Sequence, residues 1–170
     1  MKTVLETPRL ALREMTPADL DFVASMLGDE EVMRFYPQRY ERHDAQAWLD
    51  RQLARYARDG HGLWLVLARD TGEPVGQVGL LNQLVEGVVL PEVGYLVHRP
   101  FWRRGYASEA ARAVRDHAFA LGKPFVVSLI RPINAPSQGV ARKLGMRLVK
   151  LTLFMGLESG LWRVDRPEGG

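Results

Sequence analysis

A basic turn that leads into a predicted helix is the first candidate for chemistry in this sequence. The turn consists of Arg103, Arg104 and Gly105, and the helix behind it begins with Tyr106, Ala107 and Ser108. The first amides of a helix lack intrahelical acceptors, and the helix dipole adds partial positive charge there. Free amides in the turn itself would form a concave nest for phosphate oxygens. The stretch therefore predicts an anion site, although two solvated arginines before an ordinary helix would give the same pattern.

The turn must be held by a strand before it and a helix after it, and the chain supplies further elements of both kinds. Apolar runs and alternation predict strands near residues 9–13, 63–68, 75–81, 92–97, 125–129, 146–154 and 161–164. Helical spacing with Gly or Pro stop signals predicts helices near residues 17–27, 44–59, 106–121 and 136–144. This order predicts an α+β (mixed α/β) fold with a central twisted mixed sheet of six to seven strands and about four flanking helices. We expect a single domain over residues 1–170.

The composition indicates an ordinary globular protein and argues against several classes of function. The net charge of +3 over 170 residues is too weak for a strong nucleic-acid binder, so no specific nucleic acid is expected. No apolar run could span a bilayer, and the N-terminus lacks the apolar core of a signal peptide, so we predict a cytoplasmic protein. The chain has no cysteine, and its four histidines lack metal-ligand spacing, so no metal site is predicted.

Several motifs, in chain order, resemble those of a known family. They are Thr7-Pro8-Arg9-Leu10, Gly94-Tyr95-Leu96, the turn from Trp102 to Ala110, Asn134-x-x-Ser137 and Lys143-Leu144-Gly145-Met146. The ordered set resembles the GCN5-related N-acetyltransferase (GNAT) superfamily, and most closely its RimJ/RimL-like branch, which acetylates the N-termini of ribosomal proteins. The resemblance covers nearly the whole chain. It fails at Trp102, where the family usually has Gln or Arg, and at Arg103, where this branch commonly has Gly.

The resemblance implies a sheet that splays apart after its fourth strand, the one ending near Val97, with acetyl-CoA lying in the gap. The pyrophosphate would bind the loop of Trp102 and the amides of residues 103–108. Leu96 and Val97 would bond the pantetheine arm, and the Val97 amide would stabilise negative charge on the thioester oxygen. Asn134 and Ser137 would touch CoA, and Lys143 would reach its ribose phosphate or adenine. Helix capping by Asn134 and solvation of Lys143 are the alternatives.

The resemblance also implies an amine acceptor, which must lose a proton before it attacks the thioester. Glu92 is the first candidate base and His98 the second, with water as a third route; Glu92 could also be an ordinary strand-end carboxylate. Many family members protonate the leaving thiolate with a Tyr in the helix after the fifth strand. Residues 134–141 contain no Tyr. In the branch that this chain resembles, a Ser at the position of Ser137 is the usual candidate acid, unless it only binds CoA.

Three functions follow from this reasoning. The favoured one is an acetyl-CoA-dependent N-acetyltransferase whose acceptor is the α-amine of a protein or peptide. The second is an acetyltransferase for a small amine or an antibiotic, and the third is a CoA-binding sensor or interaction domain with little activity. By analogy with the family, the final strands could also pair across a homodimer.

Overall fold

Eight strands form one continuous sheet in the computed structural model of the chain, which describes residues 2–169. The strands are β1 (Thr3–Glu6), β2 (Leu10–Arg13), β3 (Leu63–Ala68), β4 (Pro74–Val85), β5 (Val88–Val97), β6 (Phe125–Ile130), β7 (Arg147–Phe154) and β8 (Leu157–Asp165). The helices are α1 (Leu20–Leu27), α2 (Arg42–Asp59), α3 (Tyr106–Ala120) and α4 (Ala135–Lys143), with 3-10 turns at Pro17–Asp19 and Arg99–Phe101. No helix in this part of the chain is long and apolar enough to cross a membrane.

The sheet is mixed because one neighbouring pair of strands is parallel. The strand order is β1-β2-β3-β4-β5-β6-β8-β7, and every neighbouring pair is antiparallel except β5 and β6. These two strands pair only between Glu92 and Val127. Beyond that point they separate, and the gap between the end of β5 and the end of β6 is called the splay.

Helices cover both faces of the sheet. One face packs against α3 and α4 through small and branched side chains such as Ala110, Val114 and Ala141, all fully buried. The other face packs against α1 and α2 through residues such as Met26 and Leu49, also fully buried. The splay therefore opens between two helical layers, and each layer can bring a different reactant to it.

The predicted mixed sheet with four helices is confirmed, but the strand count differs. The prediction of six to seven strands omits β1, a four-residue edge strand that is largely exposed and shows no clear alternation. Because β1 is present, the splay follows the fifth strand of the structure instead of the fourth. The strand that ends at Val97 is nevertheless the predicted one.

Two tight hairpins also depart from the prediction. β4 and β5 run on to a two-residue turn at Glu86-Gly87, and β7 and β8 meet at Met155-Gly156 without the predicted six-residue connection. All four turn residues have positive φ, between 49° and 80°, as the hairpin turns that match strand twist require. Glu and Met are unusual first residues for such turns, so the residue types did not indicate two-residue turns at these positions.

Candidate active site

The end of β5 presents a peptide N–H to the splay. Ser128 Oγ on β6 donates to the carbonyl oxygen of Val93 at 2.7 Å, so this peptide group of β5 faces β6. Peptide groups alternate sides along a strand, and Val97, four residues on, therefore faces the same side. The amide of His98 points the other way and donates to Val75 O of β4 at 2.8 Å. The Val97 N–H thus faces the splay, where the sequence analysis predicts the thioester oxygen.

Trp102 fixes this strand end from the loop that follows it. Its indole Nε1 donates to Val97 O at 2.7 Å, and its ring packs on the core beneath α1 and α2. The Trp102 amide donates to Arg99 O at 3.1 Å. The Trp102 N–H is therefore occupied within the protein, and its side chain braces the strand beside the predicted cofactor site.

The basic turn exposes a series of unpaired amides. Arg103 and Gly105 have φ of +63° and +79°, and the first amide of α3 that finds a backbone acceptor is that of Glu109, bonded to Gly105 O at 3.0 Å. Within residues 2–169 no acceptor is bonded to the amides of residues 103–108. The side chains of Arg103 and Arg104 are exposed. This is the arrangement of donors and charge that the sequence predicts for an anion.

A cavity of about 180 Å³ adjoins these amides. Its lining joins the end of β5, the basic turn and α4: Val97, Phe101, Trp102, Arg103, Gly105, Tyr106, Ala107, Ser108, Val140 and Lys143. Eight of the residues predicted to bind the cofactor therefore line this one cavity. Leu96 lies on the opposite face of β5, against the α1 and α2 layer.

An acidic side chain in the first turn of α3 would repel a bound phosphate, and the start of the chain neutralises it. Glu109 accepts hydrogen bonds from Thr7 Oγ1 at 2.6 Å, from the Arg9 amide at 3.0 Å and from Arg9 Nε at 2.7 Å. Burial would raise the pKa of Glu109, but these bonds outweigh it and hold the pKa below its usual value. The sequence showed the Thr7-Pro8-Arg9 motif but gave no sign that it holds Glu109.

Glu92 lies where β5 and β6 part. Its carboxylate is 7% exposed and bridges two other strands, because Oε1 accepts from Gln83 Nε2 at 3.0 Å and Oε2 accepts from the Leu129 amide at 3.1 Å. Burial raises the pKa of Glu92 to about 7, against the smaller opposing effects of these two bonds and of Arg55. A carboxyl group with this pKa exchanges a proton readily near neutral pH, as a general base requires.

The segment between α1 and α2 brings Tyr36 towards this carboxylate. Burial of the Tyr36 hydroxyl and the negative charge of Glu92 raise the pKa of Tyr36 to about 12, while 41% of the residue stays exposed. Arg131, which follows β6, donates to Phe35 O at 3.2 Å and ties this segment to the far side of the splay. Tyr36 therefore lies close enough to Glu92 to feel its charge, while part of the residue remains exposed to solvent.

Asn134 and Ser137 begin α4 on the opposite side of the splay. The Asn134 side chain accepts from the Ser137 amide at 3.2 Å and so caps the helix. Tyr95 Oη on β5 donates to Ser137 O at 2.6 Å and holds α4 against β5. The Ser137 side chain is half-buried and Lys143 is exposed at the rim of the cavity.

His98, the second candidate base, lies on the α1 side at the end of β5. Its ring meets Phe22 edge-on at 5.7 Å, and its buried Nδ1 has no hydrogen-bond partner within residues 2–169. Burial lowers the pKa of His98, although the charge of Asp29 opposes this effect. His98 is therefore predominantly neutral at pH 7.

A sequence model of the acetyltransferase (GNAT) domain matches residues 9–147. The chain belongs to the GNAT acetyltransferase family. The protein YkkB of Bacillus subtilis is 35% identical to this chain over 88% of each sequence. This GNAT enzyme also matches the crystal structure of an acetyltransferase from Agrobacterium tumefaciens with a TM-score of 0.85 at 30% identity, over 98% of this chain and 95% of that one.

A more distant GNAT structure shares the fold. It is RimL, described as a ribosomal L7/L12 α-N-protein acetyltransferase in complex with coenzyme A. The TM-score is 0.78 at 15% identity, over 96% of this chain and 98% of that one. The fold predicted for this GNAT acetyltransferase is thus confirmed.

Proposed function

We propose that this acetyltransferase moves an acetyl group from acetyl-CoA to the α-amine of a protein or peptide by direct attack of the amine on the thioester. The observation that carries the proposal is the buried Glu92, with a pKa of about 7, at the splay that the free Val97 amide also faces. Aminolysis of a thioester requires a base for the amine and a hydrogen-bond donor for the oxyanion, and both groups lie at this gap between strands.

The residues around the basic turn fit acetyl-CoA, which supplies the activated acetyl group. The unpaired amides of residues 103–108 and the exposed Arg103 and Arg104 suit its pyrophosphate. The Val97 N–H suits the thioester end of the pantetheine arm, whereas the N–H and C=O of Leu96 face β4, as those of His98 do, and do not support the predicted contact of Leu96 with the arm. Asn134 uses its side-chain Oδ1 as the helix cap, and its side-chain Nδ2 can donate to the ligand. Lys143 at the cavity rim suits the ribose phosphate.

Glu92 favours an α-amine over a lysine as the acceptor. An α-ammonium has a pKa near 8 and a lysine ammonium a pKa near 10.4. Proton transfer to a carboxylate of pKa about 7 therefore costs about 1.4 kcal/mol from the α-ammonium but about 4.6 kcal/mol from lysine. The neutral amine then attacks the thioester while the Val97 N–H stabilises the charge on its oxygen.

The departing thiolate needs a proton or a hydrogen bond, and Ser137 is the residue we assign to it. Its hydroxyl lies in the first turn of α4, beside the splay, and Tyr95 fixes the backbone of that turn. The ammonium loses its first proton to Glu92 before it attacks, and Glu92 releases that proton to solvent. As the adduct collapses and the C–S bond breaks, Ser137 gives its proton to the thiolate and regains the second proton that the nitrogen loses. A Ser137 that only binds CoA would affect acetyl-CoA affinity and leave the chemical step alone.

The test separates cofactor binding from acetyl transfer. Calorimetric titration with acetyl-CoA should show saturable binding, and the pantetheine control should show little, because it lacks the pyrophosphate. Acetylation is then assayed with peptides bearing free N-termini, with N-blocked lysine peptides, and with polyamines and aminoglycosides. Turnover of the free N-terminal peptides supports the proposal. Turnover of polyamines or aminoglycosides alone would make the enzyme a small-amine acetyltransferase, and binding without turnover would make it a sensor domain.

The proposal includes a homodimer. It is supported by the exposed apolar side chains on the final strands, including Leu151 and Leu153 of β7.

A further inference from the structure

A guanidinium group beside the splay has no acidic partner in the chain. Arg131 follows β6 directly, is half-buried, and forms no ion pair within residues 2–169. Its Nη1 donates to Phe35 O at 3.2 Å, and its buried Nε makes no hydrogen bond in that part of the chain. A guanidinium carries five N–H donors in a planar fork that matches a carboxylate. Most donors of Arg131 therefore have no partner in the described chain.

Arg131 points to the side of the splay that holds the proposed base. It lies two residues beyond Leu129, whose amide donates to the Glu92 carboxylate at 3.1 Å. Two residues of a strand span about 7 Å. The bond to Phe35 O places the guanidinium against the segment that carries Tyr36, a residue close to Glu92. Arg131 and Glu92 therefore lie on the same side of the splay, a short distance apart.

The charges on this side of the splay do not suit a polycation. Arg55 of α2 lies close enough to Glu92 to stabilise its ionised form, and its Nη1 donates to Gln52 Oε1 at 3.4 Å. The acids of the segment between α1 and α2 already pair with other arginines: Asp29 with Arg99 at 3.0 Å, Glu30 with Arg39 at 3.2 Å and Glu31 with Arg34 at 3.7 Å. Two guanidinium groups without an ion pair in residues 2–169 thus accompany one carboxylate, and a substrate with several ammonium groups would be repelled.

We propose that Arg131 binds a carboxylate of the acceptor, and that the enzyme therefore prefers an α-amine whose own residue carries an acidic group. The ammonium of such an acceptor meets Glu92 and its carboxylate meets Arg131, so each charge finds an opposite charge. In a peptide, an N-terminal Asp or Glu supplies both groups a few bonds apart. This inference rests on the proposed function and names the class of acceptor for the same site.

Matched peptides are the first test. Acetylation by the parent protein is measured with peptides of identical sequence and blocked C-terminus that begin with Asp or with Asn. A charge-assisted contact should make kcat/KM for the Asp peptide roughly tenfold higher or more. The difference should lie mainly in KM, because the contact is the same before and during acetyl transfer. Equal kcat/KM values, or a preference for the Asn peptide, would overturn the proposal.

Substitutions at Arg131 show whether this residue causes the preference. Arg131→Gln should bring the Asp-to-Asn ratio of kcat/KM close to one while the Asn peptide reacts as before. Arg131→Lys keeps the charge and should retain part of the ratio. The control is Arg51→Gln, at an exposed cation of α2 whose guanidinium lies 5.5 Å from the centre of the Trp48 ring, and it should keep the full ratio.

The same peptides detect a purely structural role of Arg131. If the bond to Phe35 O only fastens the segment between α1 and α2, Arg131→Gln should slow the Asp and Asn peptides equally and keep their ratio. That result would overturn the proposal. A ratio that falls in Arg51→Gln as much as in Arg131→Gln would also overturn it, because the preference would then come from the general positive charge of this side.

Free aspartate, assayed beside the peptides, separates this inference from the proposed function. Its α-carboxylate and side-chain carboxylate have the same chemistry as that of an N-terminal Asp. Turnover of free aspartate without turnover of any peptide, lost in Arg131→Gln, would keep the carboxylate contact and remove the peptide acceptor. Equal turnover of the Asp and Asn peptides by the parent would leave the proposed function standing and remove this inference. No turnover of any α-amine would remove both.

Discussion

Trp102 Nε1 lies 2.7 Å from Val97 O and joins the start of the proposed cofactor loop to the last residue of β5. Trp102 occupies a position where the family usually has Gln or Arg, so this chain braces its strand end with an indole. The bond holds the backbone next to the peptide group whose N–H faces the splay. The departure from the family pattern therefore carries a structural role.

Trp102→Phe should test this brace. The ring keeps most of its packing but loses the hydrogen bond, a loss of about 1 kcal/mol for a part-buried neutral bond. We expect kcat to fall by roughly fivefold, with a smaller change in acetyl-CoA affinity. The matched control is Trp48→Phe, which removes the 3.1 Å bond from Trp48 Nε1 to Gln77 Oε1 in the same apolar layer. Equal losses of kcat in the two variants would mean that the Trp102 bond only contributes to stability.

Arg103→Gly should relieve backbone strain. Arg103 has φ of +63°, a conformation that costs an ordinary residue about 1–2 kcal/mol and glycine almost nothing. We expect the thermal unfolding temperature to stay level or rise, although the variant loses a charge and should bind acetyl-CoA more weakly at low salt. Arg104→Gly is the control, because Arg104 is not among the residues with positive φ and the added chain flexibility should lower its unfolding temperature. A lower unfolding temperature for Arg103→Gly than for Arg104→Gly would refute the strain argument.

The sequence allowed local features to be predicted and left most long-range ones undetermined. The basic turn, the helix behind it and the strand ending at Val97 were all predictable, because each rests on a short stretch of residue types. The partners of Glu92 were not, since Gln83 comes from β4 and Leu129 from β6, and a pKa set by burial has no local signal.

The contact between Arg9 and Glu109 illustrates the same limit. The two residues are 100 positions apart in sequence, and neither motif by itself indicates that they meet. Alternation predicted a strand that begins at Arg9, and helical spacing predicted α3. Which end of a helix the β1–β2 segment approaches depends, however, on the place of β1 and β2 in the sheet. That place depends on pairings across the whole chain.

Glu92→Gln should remove a titration from the rate profile. In the parent protein, kcat/KM should fall on the acid side with an apparent pKa of about 7, because the protonated carboxyl cannot accept a proton. The amide should lower kcat by roughly 10²–10⁴ and abolish this acid limb. His98→Gln is the control, and it should keep the limb. A limb that persists in Glu92→Gln and disappears in His98→Gln would transfer the role of base to His98.

The same substitution should change the pH dependence of stability. The pKa of Glu92 rises from 4.5 to about 7 on folding, so its contribution is fully present below pH 4.5 and is lost as the pH rises through 7. This difference in pKa corresponds to about 3 kcal/mol. Glu92→Gln should therefore unfold at higher denaturant concentration than the parent at pH 8.5, and the advantage should shrink or reverse at pH 5. If the difference in stability between the two proteins did not depend on pH, this would contradict the argument that ionisation of the Glu92 carboxyl destabilises the folded state.

Arg9→Met should leave Glu109 uncompensated in the first turn of α3. Arg9 Nε lies 2.7 Å from Glu109 Oε1, and a free carboxylate there would oppose the positive potential at the helix N-terminus that suits a phosphate. We expect acetyl-CoA affinity to fall by roughly tenfold, or about 1.4 kcal/mol, with a weaker effect at high salt. Arg42→Met, which breaks the exposed ion pair with Asp21, is the surface control and should bind normally.

The double variant Arg9→Met with Glu109→Gln decides between two explanations of that loss. If the free charge of Glu109 is the cause, removing it should restore much of the affinity, and the coupling energy between the two sites should be large. If the pair acts only by fastening the β1–β2 segment to α3, the double variant should bind no better than Arg9→Met. The acetyl-CoA affinity of the parent, the two single variants and the double variant is measured by calorimetry at two salt concentrations. Salt screens the electrostatic effect of Glu109 but not the fastening of the two elements, so the comparison separates the two explanations.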